Sequence, residues 1–586
     1  MKQFFKFVFA SMLGIILASV LLVVILLISL TALSGGEEEV KLKDNSVLMI
    51  DFAEEVKDRA SKNPFENFNF SDLSANKEIG LNDVLIALEA AKTEDKIKAV
   101  YLNFQSIPAG FATNQEIRKA LIQLKESKKP VYAYSSVYTQ GAYYMASAAD
   151  KVFIHPQGLI ELKGLGAQIM FFKGALEKLE IEPQIIRHGK FKSAVEPYML
   201  DQMSEANKLQ TRTYMNSLWN YWKEQVGKSR KISVEELQNL ADNILVRNAK
   251  DALKYKLADK VAYADEVMDE LRSITGSKSI DDINFVKLSK YINAVKPKLQ
   301  ATKEKIAVIY ANGEIEDGEG AEHVIGGDRI AKAIREARLD ENIKAIVLRV
   351  NSPGGSSLAS DIIWREAVLA KKAKPFVVSM GDVAASGGYY ISCAADKIYA
   401  QPNTITGSIG VFGLMFSGQK MLNNKLGVKI DTVLTGKYGD FGTVYRPLST
   451  FERDVIQMEV ENIYDDFITK VAEGRKISKS QVDSIGQGRV WSGIDAKKIG
   501  LIDDFGGLND AIAHAVKLAK LDKYRVVDLP KQKEPFEQIM SELSGGTEAF
   551  FAKQLMGNEY TFYKQIKRIT SQQGILMRMP YEVEIK

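Results

Sequence analysis

The chain has 586 residues, of which 46% are hydrophobic, 9% aromatic and 26% charged, with 14 prolines; this is near the globular average and excludes a disordered or collagen-like polymer. Its length exceeds what one hydrophobic core supports, so two large domains, or two copies of one, are expected. With 78 basic and 74 acidic residues the net charge is +4, too weak a field to argue for a nucleic-acid partner, and one cysteine beside four histidines allows no intramolecular disulfide and leaves little material for a metal site.

Lys2 and Lys6 precede an uncharged run at 7–33 whose 27 residues would rise about 40 Å as a helix. That length spans a bilayer with some tilt. A cleaved signal peptide has an apolar core of only ~7 to 15 residues, so the run is expected to be an uncleaved anchor, although Ala32-Leu33-Ser34 would pass as a cleavage site. Lysines before the span, with Glu37, Glu38 and Glu39 after it, put residues 1–6 in the cytoplasm by the positive-inside rule. Everything beyond residue 40 then lies outside, on the periplasmic side of the inner membrane in a bacterial setting. ATP is absent there and the chain has no G-x-x-x-x-G-K-[ST] loop, so the chemistry is expected to need no nucleotide and no other cofactor.

Beyond the anchor the sequence contains itself twice. The segment 80–157 aligns without gaps to 326–403 at an offset of 246 residues: Ile97-Lys98-Ala99 matches Ile343-Lys344-Ala345, Gly141-Ala142-Tyr143-Tyr144 matches Gly387-Gly388-Tyr389-Tyr390, and Ala148-Ala149-Asp150-Lys151 matches Ala394-Ala395-Asp396-Lys397. So large a spacing marks duplicated domains and not a solenoid. Short apolar runs at 47–52, 99–104 and 131–134 in the first copy, and at 306–310, 345–350 and 376–379 in the second, alternate with helical patterns such as 328–338. Such alternation predicts α/β domains built on parallel strands. The expected layout is a first repeat over 40–271, a charged linker over 272–303, a second repeat over 304–529 and an accessory helical region over 530–586.

Duplicated domains keep what folding needs in both copies, so a reactive residue present in one copy alone is a functional candidate. Ser386, in Asp382-Val383-Ala384-Ala385-Ser386-Gly387-Gly388, has Gln140 as its counterpart; Lys192, in Gly189-Lys190-Phe191-Lys192-Ser193-Ala194, falls opposite Gly439. Taken singly, Ser386 suits a helix N-cap and Lys192 a solvated surface lysine. Together they supply two of the three parts of an acyl-transfer site, a nucleophile and a base. The third is Asn351-Ser352-Pro353-Gly354-Gly355-Ser356, whose glycines let backbone N–H groups approach an oxyanion, whereas the first copy reads Gln105-Ser106-Ile107-Pro108-Ala109. Lys190, two residues before Lys192, shares its face in an extended segment and is a second candidate amine, although its match to Lys437 favours a shared structural role. Cys393 reads as a small core residue, Asp150 and Asp396 as turn or capping residues, and His155 and His188 as solvated loop residues.

N-S-P-G-G, D-x-A-A-S-G-G-Y-Y, T-G-S-I-G at 406–410 and K-S-A-V-E-P at 192–197, behind one N-terminal span, resemble the long, duplicated form of the signal peptide peptidase A family, from the anchor to about Phe505. The resemblance implies an N-terminal transmembrane helix followed by two tandem Clp/crotonase-like α/β domains, with a Ser-Lys dyad assembled across them. It implies Ser386 as nucleophile, Lys192 as general base, Gly354 and Gly355 as the oxyanion turn and Ser408 as the residue that orients the base. It further implies a homo-oligomer, a tetramer, acting on signal peptides and other unfolded apolar peptides at the membrane. Two readings from other classes stay open: an acyl-CoA enzyme using the same oxyanion turn without a nucleophile, and a membrane-tethered scaffold with a vestigial site. A lysine that acts as a base near neutral pH must be buried, and Phe191 and Val195 are the expected source of that burial.

Overall fold

The computed structural model describes residues 42–61, 68–69, 74–75, 78–295, 302–532 and 574–579, with scattered positions among the first 21. Apart from the short pairs Glu55–Lys57 with Glu78–Gly80 and Phe68–Asn69 with Ser74–Ala75, the strands of the first half are β1 (Ser46–Ile50), β2 (Ile97–Leu102), β3 (Val131–Tyr138), β4 (Lys151–Ile160), β5 (Glu182–Arg187), β6 (Lys260–Val261) and β7 (Phe285–Lys287). Those of the second are β8 (Lys305–Asn312), β9 (Ile315–Glu316), β10 (Ile325–Gly326), β11 (Ile343–Ser352), β12 (Gly354–Ser356), β13 (Phe376–Ala385), β14 (Lys397–Ala400), β15 (Ile405–Gly407), β16 (Phe412–Ser417), β17 (Val490–Ser492), β18 (Asp504–Phe505), β19 (Arg525–Leu529) and β20 (Gly574–Arg578). The helices that matter to the site are α1 (Leu81–Thr93), α2 (Phe111–Lys125), α3 (Glu205–Arg230), α4 (Gly327–Leu339), α5 (Ser357–Ala373), α6 (Gly387–Tyr390) and α7 (Thr450–Arg475).

Each half folds around its own sheet: the first is parallel, in the order β6-β4-β3-β2-β1-β7, and the second, in the order β17-β15-β13-β11-β8-β19, is parallel except for its antiparallel edge strand β17, with β14 and β18 branching from β13. Strands buried on both faces must be apolar nearly throughout. In β8 the run Ile306 to Ala311 is buried without a break, and α4 covers one face of that sheet with Ile330, Ala333, Ile334 and Ala337. Leu508, Ala511 and Ala515 of a later helix cover the other. Asp150 and Asp396 do equivalent structural work: each accepts the backbone N–H that opens the neighbouring strand, of Val131 and of Phe376 respectively.

A third, six-stranded sheet, β10-β9-β12-β20-β16-β5, joins the halves. Within it β5 crosses from the first half and pairs antiparallel with β16, from Phe412 opposite Arg187 to Ser417 opposite Glu182. The halves are also tied by charge. Arg349 on β11 is fully buried, donating Nε to Asp58 at 2.6 Å and placing Nη2 2.8 Å from Glu116 of α2. Asp382, at the end of β13, accepts from the Ala112 and Thr113 N–H groups and the Thr113 hydroxyl, and so caps the start of α2.

Three expectations on layout meet the structure differently. Residues 272–303, expected as a linker, contain β7, which pairs parallel with β1 as the edge of the first sheet. The apolar side of this charged stretch, Ile283, Val286, Leu288, Tyr291 and Ile292, is buried, and that burial outweighs its charged composition. The region 530–586, expected as helical, supplies β20; its residues 533–573 and 580–586 lie outside the described ones. Among the described residues no helix is long and apolar enough to cross a membrane. Most of 7–33 lies outside the described residues, and those present, including Phe7, Phe9, Leu13 and Ile15, are helical and exposed.

Candidate active site

The duplication predicts that Ser386 and Lys192 belong together, and the structure brings them into contact. Lys192 Nζ lies 2.8 Å from Ser386 Oγ and 3.1 Å from both the hydroxyl and the carbonyl oxygen of Ser408. All three side chains are fully buried. Burial holds the Lys192 amine well below its ordinary value, since taking a charge out of water disfavours the ammonium. Phe191 and Val195, the expected source of desolvation, are buried. Lys190 is exposed, its amine 5.2 Å above the Phe191 ring, and Lys437 stands 5.1 Å above Tyr438 in the same way, so this pair shares a surface role and does not reach the serine.

Ser386 does not act as an N-cap: its side chain makes no cap hydrogen bond, and its backbone sits at φ 56°, ψ −115°. A positive φ is costly for a residue with a Cβ, of order 1–3 kcal/mol, and persists only where the surroundings over-determine it. Here Ser386 N–H donates to Gly407 O, and the serine closes β13 before the short α6. Ser408 is held similarly, at φ 50° with its N–H on Arg489 O.

The proposed oxyanion turn lies against the serine turn. Gly354 has φ +100°, and a Cβ there would stand 2.8 Å from Gly387 N and 2.1 Å from Met577 O. Only glycine tolerates that conformation and that approach. Gly354 N–H is 3.1 Å from Ser352 Oγ, and Gly355 pairs with Ile315 of β9. Next to this turn runs β20, antiparallel to β12, with Arg578 opposite Gly354 and Met577 opposite Gly355. Met579 N–H then donates to Pro353 O at 2.6 Å. The Met579 side chain is buried among Tyr214, Leu218, Ala385, Ile405 and Val490. The chain's own strand thus occupies the groove beside Ser386.

Other residues that build the site are not among those the sequence singles out, although Gly410 and Glu196 lie within the T-G-S-I-G and K-S-A-V-E-P motifs. Gly488, at φ +80°, lies so close to the lysine segment that a Cβ would stand 2.6 Å from both Lys192 Cβ and Lys192 N, and Gly410 closes the slot around Lys192 Cδ. Gln210 of α3 donates to Phe191 O and Ser193 Oγ and accepts from Val490 N–H, stitching the lysine segment to β17. Glu196 accepts from Ser204 and Asn207 and fixes the end of that segment. His188, expected in a solvated loop, has an acidic partner: Nδ1 lies 2.6 Å from Glu461, and the ring stacks on Tyr464, 3.7 Å between centroids. The partner comes from α7, far along the chain, which is why no local pattern revealed it. His155 bonds the Gln157 N–H. Cys393 is buried with its thiol pushed up to about 12, as suits an inert core residue. Asp382, the one acid beside the serine motif, is fully engaged by α2.

The profile of Peptidase family S49 matches residues 123–277 and 369–522, one stretch in each half. The chain belongs to Peptidase family S49. It is 38% identical to Protease 4 of Salmonella typhi over 482 residues, covering 81% of this chain and 77% of that one. Protease 4 of Haemophilus influenzae is 36% identical, covering 84% and 83%. The chloroplastic serine protease SPPA of Arabidopsis thaliana is 32% identical, covering 83% and 72%. A ClpP1 structure from Listeria monocytogenes overlaps 35% of this chain at 17% identity and a TM-score of 0.25. This S49 member is accordingly a serine protease with an α/β fold.

Proposed function

We propose that this S49 protease is a membrane-anchored endopeptidase with a Ser386–Lys192 dyad, two tandem Clp/crotonase-like domains and a homotetrameric assembly. Its substrates are signal peptides and other unfolded apolar peptides on the outer side of the cytoplasmic membrane. The observation that carries the chemistry is the 2.8 Å contact between the buried, desolvated Lys192 amine and the Ser386 hydroxyl. A neutral amine has two N–H donors and one lone pair. The Ser408 carbonyl can only accept, so one N–H goes there and the other to Ser408 Oγ, which leaves the lone pair for the Ser386 proton.

Lys192 takes that proton as Ser386 Oγ bonds the scissile carbonyl carbon. The carbonyl oxygen, now an oxyanion, is held by backbone N–H groups of the Gly354–Gly355 turn and of Gly387 behind it. The protonated Lys192 then returns the proton to the leaving amine as the C–N bond breaks. Water, deprotonated by the same lysine, releases the acyl group and regenerates the serine. No step requires a metal or a cofactor.

The β20 strand supports the substrate class. An extended segment lies antiparallel on β12, with an apolar side chain, that of Met579, buried in one cluster with Ala385. Only unfolded chain can adopt such a pairing, and an anchor would concentrate the site where apolar peptides reside. Cleavage of an unstructured apolar peptide by the wild type, lost in both Ser386→Ala and Lys192→Ala, tests the dyad. Retained cleavage in either variant overturns it. A serine-directed probe separates this reading from an acyl-CoA enzyme or a vestigial scaffold, neither of which would be labelled.

A further inference from the structure

The duplication leaves one strand pairing with a partner and its copy without. In the register that aligns Gly189-Lys190 with Gly436-Lys437, β5 corresponds to residues 429–434, and the same register matches β16 to residues 165–170. β5 and β16 pair with each other inside one protomer. Their counterparts form no strand and no ladder.

The side chains record the difference. Ile186 of β5 is 2% exposed and packs into the core of the second half, whereas Val433, its counterpart, is 95% exposed. Ile430 and Leu434 beside it are also exposed, and so is Met170 on the other orphan segment. Bare apolar side chains next to unpaired backbone form an edge that invites strand addition. The two orphan segments are complementary because their counterparts are a matched pair, and each protomer carries one of each.

We infer that residues 429–434 of one protomer add antiparallel to residues 165–170 of a second copy, repeating in trans the β5·β16 pairing. Carrying the register Phe412 opposite Arg187 and Leu414 opposite Ile185 across the duplication puts Leu434 opposite Leu165 and Thr432 opposite Ala167. The contact is head-to-tail, so it propagates around a ring if the rotation closes. It deepens the homo-oligomer proposed above and rests on that reading. The half-site it assembles is degenerate, with Gly439 in the place of Lys192 and Gln140 in the place of Ser386. Gln140 is occupied within its own half by the Lys163 and Gly164 N–H groups. The second copy of the pairing therefore serves assembly and not chemistry.

The test uses the full chain in its host membrane with Ala167→Cys and Thr432→Cys combined; the native Cys393 is buried and does not interfere. Mild oxidation should give a ladder of covalent multimers on a non-reducing gel, absent from each single variant, and adding Val433→Asp should cut the cross-linked fraction at least tenfold. Light scattering of the detergent-solubilised wild type runs in parallel. A multimer by scattering with no cross-link in the double variant overturns the strand pairing and leaves the oligomer intact. A monomeric wild type overturns both.

Discussion

Lys192→Met removes the proposed base while keeping an apolar stem of similar length, and it separates chemistry from stability. Loss of a general base typically costs 10²–10⁴-fold, and members of a coupled dyad cost more when each is useless alone, so peptide cleavage should fall by at least ~10³-fold. Stability should move the other way. The Lys192 amine is held well below its ordinary value of 10.5 by desolvation, and each unit of that depression weakens the folded state by about 1.4 kcal/mol wherever the unfolded chain is protonated. The sign follows from proton counts: between the lowered folded pKa and 10.5 the unfolded state binds the extra proton, so wild-type stability rises with pH through that window and levels off above it. Methionine carries no such term. Its loss of the Ser386 and Ser408 hydrogen bonds costs ~0.5–1.5 kcal/mol each, but that loss does not vary with pH. Urea unfolding of both proteins at pH 8, 9 and 10 should therefore show wild type gaining on the variant by about 1.4 kcal/mol per pH unit. A difference that stays flat over that range would refute the claim that the folded enzyme holds a neutral, desolvated lysine.

Four further outcomes follow from the same geometry. Gly488→Ala should lower turnover at least tenfold by pushing on the Lys192 backbone, while Gly500→Ala, at a similar φ of +81° but with open space around it, should leave turnover near wild type; equal losses would mean that backbone strain alone is at work. Arg349→Met leaves Asp58 and Glu116 buried without their cation and should cost roughly 3–5 kcal/mol of unfolding free energy by denaturant titration, whereas a change below about 1 kcal/mol would show that the ion cluster does not tie the halves. Removing residues 574–586 clears β20 from the groove, so KM for an apolar peptide should drop severalfold, and the synthetic peptide Gly-Ile-Leu-Met-Arg-Met should then compete; an unchanged KM with no competition would show that the groove is not the substrate path. Activity should fall as acid protonates Lys192 and should survive EDTA, and loss in EDTA restored by zinc would contradict the metal-free reaction.

The sequence made the α/β architecture and both partners of the Ser386–Lys192 contact legible because duplication supplies an internal control. Gln140 and Gly439 mark Ser386 and Lys192 as residues that folding does not require. The apolar runs located the central parallel strands for the same physical reason: strands covered on both faces must be apolar. What stayed hidden depends on contacts remote in sequence. Gly488 is 296 positions from Lys192, and nothing local to it signals that the lysine backbone passes there. The partnership of His188 with Glu461 and the insertion of Arg349 between Asp58 and Glu116 are likewise set by how the halves meet. The stretch 272–303 misled because its charges dominate its composition, while the few apolar residues that dock β7 and the following helix against the first sheet decide its place.

Whether Ser386 is a nucleophile activated by a neutral Lys192 is tested most directly by the rate of covalent labelling. A fluorophosphonate probe added to the full chain over a pH series, with the adduct located by peptide mass spectrometry, should modify Ser386 alone. The labelling rate should rise with pH along a single titration well below 10.5 and fall by at least ~10³-fold in Lys192→Met. Modification at another serine, or labelling of Ser386 at an undiminished rate without Lys192, would contradict the account.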